Sequence, residues 1–118
     1  MSLVFVYGTL KRGGSNHAFL AGQQFLGEAR TVPGYTLYVL DGYPGMVPDA
    51  TAEGVTGEVW SVTPAALAAL DDLEGLAEAL YRREPIQLQA PFATQPVETY
   101  LYARSIAGRP HLGSVWVV

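Results

Sequence analysis

The chain of 118 residues is long enough for one compact domain, and with 49% hydrophobic and 15% charged residues it can bury a core of its own. A net charge of -4 with only 7 basic residues, which form no cluster larger than an adjacent pair, argues against binding to a nucleic-acid backbone. The absence of cysteine excludes disulfides, a thiolate nucleophile, zinc–thiolate sites and iron–sulfur clusters.

We expect no secretory signal peptide at the N-terminus. Its first apolar segment, Leu3 to Tyr7, is interrupted by Gly8 and is shorter than the roughly 7 to 15 apolar residues of a signal peptide. No other segment approaches the ~18 apolar residues that cross a bilayer as a helix. The sequence therefore predicts a soluble cytoplasmic protein with neither a membrane nor a nucleic-acid partner.

Short apolar segments separated by scattered glycine and proline predict a strand-rich α+β domain over residues 1–118, with two small helices. The first helix follows Asn16, interpreted as its N-cap, and ends at Gly22. Tyr43-Pro44-Gly45 is interpreted as a turn. The predicted strands are Leu3 to Tyr7, Gln24 to Val32, Tyr35 to Leu40, Val55 to Val62, Arg82 to Gln89, Val97 to Ala103 and Ser114 to Val118.

The second helix is predicted over the run Thr63 to Glu74. Thr63 is a suitable N-cap, and Pro64 suits the first helical position because it lacks the N–H that would be unpaired there. The alanine- and leucine-rich stretch that follows has high helix propensity. Gly75 offers a helix stop, since glycine readily adopts the left-handed conformation found beyond helix ends.

Glu74 has an unusual position on this helix. At about 100° per residue it falls on the same face as Leu67 and Leu70, which must pack inward. Burial would raise its pKa toward ~6 to 7, where a carboxyl group can both take and return a proton near neutral pH. The pattern leaves open that the helix ends before Glu74, and that its side chain is solvated or paired with Arg82 or Arg83.

The segment Tyr7 to Gly14 runs from a strand directly into a glycine-bearing loop. Gly8 permits tight backbone geometry, so that consecutive N–H groups can converge on an anion such as a carboxylate. An ordinary turn with two exposed cations remains the alternative. The spacing imitates a phosphate-binding loop, but Gly14 stands where the lysine must be, and nucleotide binding is therefore not supported.

The other polar residues give weaker indications. His17 and His111 belong to no metal-ligand spacing, so no metal site is predicted. The serines lack a Gly-x-Ser-x-Gly elbow, which argues against a Ser-His-Asp hydrolase. Tyr81 and Tyr102 can either supply hydroxyl groups to a pocket or pack in the core.

Taken together, these motifs resemble those of one known family. The groups that carry the resemblance are Val4-Phe5-Val6-Tyr7-Gly8-Thr9-Leu10-Lys11-Arg12-Gly13, then Gly57-Glu58-Val59-Trp60, then Leu70-Asp71-Asp72-Leu73-Glu74-Gly75 followed by Tyr81-Arg82-Arg83. In this order and spacing they resemble the γ-glutamylcyclotransferase superfamily, above all its small AIG2-like members and the γ-glutamylamine cyclotransferases. The resemblance spans nearly the whole chain.

This resemblance implies a mixed β-barrel of about six or seven short strands with small flanking helices. It implies a cofactor-free enzyme of the transferase or lyase type that cyclises a γ-glutamyl group to 5-oxoproline and releases a free amine or amino acid. Glu74 would transfer the proton. The substrate-binding residues would be Tyr7, which lines the cavity, the backbone N–H groups around Gly8, Thr9 and Leu10, and the hydroxyl groups of Tyr81 and Tyr102.

Three hypotheses for the function remain after the sequence has been considered. The first is a γ-glutamyl cyclotransferase acting on a small-molecule γ-glutamyl substrate. The second is a non-catalytic module that binds γ-glutamyl compounds in the same cavity, and the third is a structural or interaction domain. Superfamily likeness does not name the leaving amine, and the sequence leaves the oligomeric state open.

Overall fold

A computed structural model describes residues 1–118 and contains eight strands and one α-helix. Two short 3-10 helices, His17–Leu20 and Leu76–Glu78, lie in the connections. No helix is both long enough and apolar enough to cross a membrane. In chain order the main elements are β1 (Ser2–Val6), β2 (Gln24–Arg30), β3 (Tyr35–Val39), β4 (Pro44–Pro48), β5 (Thr56–Val62), α1 (Pro64–Leu73), β6 (Tyr81–Ile86), β7 (Val97–Tyr102) and β8 (His111–Gly113).

The strands form two sheets, and the predicted α+β class is confirmed. The larger sheet has the order β2-β5-β1-β7-β6, in which β1 and β7 are parallel and the other neighbours antiparallel. The smaller sheet has the order β4-β3-β8. A single bridge between Thr31 and Leu88 joins the chain beyond β2 to the chain beyond β6. Because one bridge is not a strand ladder, the predicted closed barrel is not confirmed.

Two strand predictions were wrong. The interpretation of Tyr43-Pro44-Gly45 as a turn fails because Pro44 begins β4, which pairs with β3 from Val39↔Pro44 to Tyr35↔Pro48. Proline is tolerated there because β4 is an edge strand and needs no second partner. The last strand is His111–Gly113 and not the predicted Ser114 to Val118.

The signals predicted for α1 are all present in the structure. The Thr63 hydroxyl oxygen accepts a hydrogen bond from Ala66 N at 3.1 Å, and Pro64 is the first helical residue. Gly75 has φ 64°, the left-handed conformation expected beyond a helix end. Glu74 N donates to Leu70 O at 2.9 Å. α1 itself ends at Leu73, one residue before the predicted end, and Glu74 is the C-cap residue that makes the last helical hydrogen bond.

A buried hydrophobic cluster lies on each face of the larger sheet, because successive strand residues point to opposite sides. From β1, Val4 and Val6 belong to the cluster that includes Leu70 of α1. Phe5, between them, belongs to the cluster that includes Leu37 of β3. The helix and the smaller sheet thus cover opposite faces, and the chain that follows β1 emerges between these two layers.

Candidate active site

A cavity of about 210 Å³ lies where β1 ends, beside the C-terminal end of α1. Its wall combines residues from the chain after β1, the end of α1, and strands β4, β6 and β7. It brings together six of the seven predicted site residues, all except Tyr102. The lining residues are Phe5, Val6, Tyr7, Gly8, Thr9, Leu10, Asn16, Tyr43, Pro44, Leu73, Glu74, Leu80, Tyr81 and Tyr100.

The loop after β1 is held by close packing and by hydrogen bonds. A Cβ atom on Gly8 would lie only 2.6 Å from Pro44 Cγ, so any larger residue would displace the loop from β4. Thr9 O accepts from Asn16 N at 2.9 Å, and the Thr9 hydroxyl oxygen accepts from the Asn16 side-chain amide at 3.0 Å. The Asn16 side chain therefore braces this loop; Asn16 occupies the predicted N-cap position, before the 3-10 helix His17–Leu20, but its side chain makes no capping hydrogen bond.

Three consecutive backbone N–H groups in this loop have no acceptor within the protein. Those of Gly8, Thr9 and Leu10 donate to no backbone or side-chain oxygen, whereas Lys11 N, the next along the chain, donates to Gly8 O at 3.1 Å. All three residues line the cavity. Such a row of free N–H groups carries partial positive charge and favours an anionic ligand group. Anion binding at this loop stays a prediction, for which three unpaired N–H donors are present.

Glu74 is the charged side chain in the cavity wall. Burial raises its pKa from 4.5 to about 7, and no hydrogen bond or neighbouring cation opposes this rise. A carboxyl group with this pKa exists in both protonation states near neutral pH. Glu74 can therefore both accept and donate a proton in the cavity.

The ion pair between Glu74 and an arginine, which the sequence left open, does not form. Arg82 pairs instead with Glu84 on its own strand. Arg83 pairs with Asp71, one turn before Glu74 on α1. Both arginine side chains are thus paired with other carboxylates, and the Glu74 carboxyl group remains available to a ligand.

Two of the predicted site tyrosines lie in the cavity wall but use their hydroxyl protons within the protein. The Tyr7 hydroxyl donates to Tyr100 O at 2.6 Å, and the Tyr81 hydroxyl donates to Pro44 O at 2.7 Å. Burial, followed by the charge of Glu74, raises the pKa of Tyr7, and burial also raises that of Tyr81. Both stay neutral. The Tyr7 oxygen also accepts from Met46 N at 3.2 Å, whereas the Tyr81 oxygen can still accept a hydrogen bond from a ligand; neither hydroxyl is free to donate one.

Tyr102 lies outside the cavity wall. The β6–β7 register pairs it directly with Tyr81, and the two rings pack edge to face with centroids 5.5 Å apart. Tyr81 occupies the wall, while Tyr102 is buried beside it. The geometry therefore supports a packing role for Tyr102, and its predicted direct contact with a ligand is not supported.

Eight wall residues were not predicted as site residues, and two of them, Tyr100 and Tyr43, carry hydroxyl groups. Tyr100 is two residues before Tyr102, so the strand alternation that placed Tyr102 on one face places Tyr100 on the same face. Its position in the Tyr100-Leu101-Tyr102 strand was the available signal. Tyr43 is half-buried, and its hydroxyl has no partner within the protein. Nothing local identifies Tyr43, because only the pairing of β3 with β4 brings it to the cavity.

A second, more open groove of about 780 Å³ lies at the other end of β1, beside Pro85 and Val97. Its acidic side chain, Glu98, lies 3.4 Å from the guanidinium group of Arg83. The groove therefore offers no free carboxylate. The cavity around Glu74 combines a proton-transfer group with free N–H donors, and it is the better candidate for an active site.

Comparison with known proteins gives a consistent result. The family model described as "Gamma-glutamyl cyclotransferase, AIG2-like" matches residues 4–117. A Vibrio cholerae protein is 46% identical over 83% of this chain and 81% of its own length, and the human γ-glutamylaminecyclotransferase is 35% identical over 89% and 80%, respectively. The crystal structure of a mouse AIG2-like protein superimposes with a TM-score of 0.77 and 28% identity, covering 97% of this chain and 87% of that one. The chain therefore belongs to the AIG2-like γ-glutamylcyclotransferase family.

Proposed function

We propose that this protein is a γ-glutamyl cyclotransferase that converts the γ-glutamyl group of a γ-glutamyl-amine or γ-glutamyl-amino acid to 5-oxoproline and releases the free amine. The observation that carries the proposal is the partly buried Glu74 carboxyl group, whose pKa is raised to about 7, in one cavity with three free backbone N–H groups. Family membership supports the same reaction class.

In the proposed complex the glutamyl moiety occupies the cavity. The N–H groups of Gly8, Thr9 and Leu10 bind an oxygen with negative charge, either the α-carboxylate or the oxyanion that develops on the γ-carbonyl. Glu74 and the Tyr81 hydroxyl oxygen can accept hydrogen bonds from the α-ammonium group. The volume of about 210 Å³ lies below the ~300 to 1,000 Å³ typical of ligand pockets, which suits a substrate held mainly by one small moiety.

Glu74 takes a proton from the α-ammonium group, and the resulting amine attacks the γ-carbonyl carbon. A five-membered ring closes, and the carbonyl oxygen becomes an oxyanion. Glu74 then gives its proton to the scissile amide nitrogen, whose bond to the γ-carbon breaks as the carbonyl reforms. The attacking nitrogen loses a second proton on becoming the lactam N–H, and the released amine takes one up. The reaction consumes no water and needs no co-reactant.

The pKa of Glu74 favours catalysis over simple binding. A carboxylate that only binds the α-ammonium group works best when it is fully ionised at neutral pH, which an ordinary pKa ensures. Burial instead keeps about half of the Glu74 population protonated near pH 7. This condition suits a group that must act first as base and then as acid, because both forms are accessible. The non-catalytic binding module remains the second candidate, supported by the same cavity.

The test is release of 5-oxoproline from γ-glutamyl-amines, γ-glutamyl-amino acids and glutathione, measured by mass spectrometry. We expect turnover of at least one of these, with kcat/KM rising as pH increases through about 7 because the free enzyme must be ionised at Glu74. Glu74→Gln should lower kcat by about 10²- to 10⁴-fold.

The matched control is Glu78→Gln, which makes the same chemical change at an exposed carboxylate four residues away. It should leave kcat unchanged. Full activity of Glu74→Gln would disprove the assigned role. Saturable binding of these compounds without any 5-oxoproline would instead favour the binding module.

A further inference from the structure

Burial, and to a smaller extent the charge of Glu74, raises the pKa of three tyrosines in the cavity wall, and all three donate their hydroxyl protons to other acceptors. Tyr7 and Tyr81 donate to backbone carbonyl oxygens. Tyr100 donates to a side chain, Asp71 Oδ1, at 2.8 Å. An ionised carboxylate accepts more strongly than a carbonyl oxygen. The Asp71 carboxylate therefore controls the hydroxyl proton of Tyr100.

Asp71 is itself fixed from its other side. Its second oxygen, Oδ2, accepts a hydrogen bond from the Arg83 guanidinium group. Arg83 lies directly opposite Tyr100 in the β6–β7 register, and α1 carries Asp71 over this pair. Arg83 from β6 and Tyr100 from β7 thus each donate a hydrogen bond to a different oxygen of the Asp71 carboxylate. This geometry leaves Asp71 a single orientation toward Tyr100.

We propose that Asp71 is a positioning residue that holds the Tyr100 hydroxyl proton away from the cavity, so that Tyr100 cannot donate a hydrogen bond to Glu74. The inference rests on the proposed function, in which Glu74 transfers the proton. Asp71 itself does not line the cavity, and it acts on the reaction only through Tyr100.

The direction of this one proton matters because the Glu74 carboxyl group receives no hydrogen bond from the protein. A hydrogen bond donated to a carboxylate favours its ionised form and lowers its pKa. The titratable side chains that share the cavity wall with Glu74 are tyrosines: Tyr7 from the chain after β1, Tyr43, Tyr81 from β6 and Tyr100 from β7. Asp71 and Arg83 lie behind Tyr100, outside the wall.

Asp71→Asn tests the proposal. The Asn oxygen would accept from Arg83, which leaves its amide N–H₂ facing the Tyr100 oxygen. The hydroxyl proton must then turn into the cavity, where Glu74 is the charged acceptor. A hydrogen bond to a charged group shifts a pKa by about 1 to 2 units, so the pKa of Glu74 should fall by that amount. The measurement is the titration of the Glu74 side-chain carboxyl carbon by ¹³C NMR, together with the pH profile of kcat/KM.

Loss of the negative charge of Asp71 could by itself lower the pKa of Glu74, and Tyr100→Phe separates the two causes. In the double variant Asp71→Asn/Tyr100→Phe no hydroxyl proton exists, so we expect the pKa of Glu74 to return close to its value in Tyr100→Phe alone. If Asp71→Asn lowers the pKa of Glu74 equally with Phe and with Tyr at position 100, only the lost charge of Asp71 matters, and the proposal is overturned. No shift in Asp71→Asn would overturn it as well.

If Asp71→Asn does not fold, Tyr100→Phe alone still tests whether the Tyr100 hydroxyl donates a hydrogen bond to Glu74. Because Tyr100 donates nothing to Glu74 in the proposed arrangement, its hydroxyl can be removed without raising the pKa of Glu74. A rise of about 1 unit or more would mean that the hydroxyl had been donating to Glu74, which contradicts the proposal. The NMR titration needs no turnover, so this result is distinguishable from a failure of the proposed cyclisation, which would appear as absence of 5-oxoproline from the wild-type protein.

Discussion

Replacing Glu74 with glutamine should abolish proton transfer and, at the same time, make the protein more stable above neutral pH. The reason is that a buried carboxylate without a cation or hydrogen-bond donor is costly to ionise. Glutamine has nearly the same shape but carries no charge at any pH. The variant should therefore lose activity and gain stability through the same side chain.

The magnitude follows from the pKa of Glu74, which is 4.5 as an ordinary glutamate and about 7 in the folded protein. At ~1.36 kcal/mol per pKa unit, ionising the folded state costs about 3 kcal/mol more than ionising the unfolded chain. Below pH 4.5 both states hold the proton, and this cost is absent. It grows as the pH rises from 4.5 to about 7 and is complete above that range.

Thermal unfolding of the wild type and Glu74→Gln across this pH range measures the effect. Near pH 4 the two proteins should melt together, whereas near pH 8 the variant should melt roughly 10 °C higher, at about 4 °C per kcal/mol for a domain of this size. Glu78→Gln is the control, because its exposed carboxyl group should give the same small difference at every pH. A difference between wild type and Glu74→Gln that does not change with pH, or a wild type that is more stable near pH 8, would refute the buried, uncompensated carboxylate.

Three further substitutions test other parts of the site and its support. Gly8→Ala should raise KM about 10-fold or more in the 5-oxoproline assay, because its Cβ would meet Pro44 Cγ at 2.6 Å and push the binding loop away; an unchanged KM would contradict this packing. Tyr81→Phe should lower the free energy of unfolding in urea by about 1 to 3 kcal/mol, because Pro44 O loses its buried donor; no loss would place that oxygen in contact with water. Glu58→Gln should lower the free energy of unfolding by a similar amount at neutral pH, because the Glu58 carboxylate accepts hydrogen bonds from Arg12 N and Nε. Burial alone would raise the pKa of Glu58, but these hydrogen bonds hold it below its usual value, so the loss should shrink as the pH falls through that lowered pKa; a pH-independent loss would argue against an ionised Glu58.

The sequence could predict α1 because the signals that define a helix lie within a few residues of each other. Thr63 and Pro64 at the start and Gly75 at the end depend on local backbone geometry, and all three have the predicted roles. The inward direction of Glu74 follows from the same helical spacing, once the side that carries Leu70 is known to be buried. The choice between a helical and a frayed Glu74 required the structure.

The predictions for β4 and β8 were wrong because these strands depend on pairing with distant segments and not on local signals. The segment Pro44–Pro48 contains two prolines and a glycine, which locally favour a turn. It is a strand only because β3 provides hydrogen-bond partners along its whole length. Likewise, β8 is defined by its pairing with Leu37 and Tyr38, more than 70 residues earlier in the chain, and not by the apolar residues that follow it.

The candidate site likewise has parts that depend on local sequence and parts that depend on long-range contacts. The helix that carries Glu74 and the glycine loop that carries the free N–H groups could be predicted from the sequence, because each is built from neighbouring residues. The packing of distant segments was needed to show that the two line one cavity and that Tyr81, not Tyr102, reaches it. The hydrogen bond from Tyr100 to Asp71, 29 residues away, became visible in the same way. Contacts of this kind depend on strand register and on the packing of α1 against the sheet, and no spacing within a single segment encodes them.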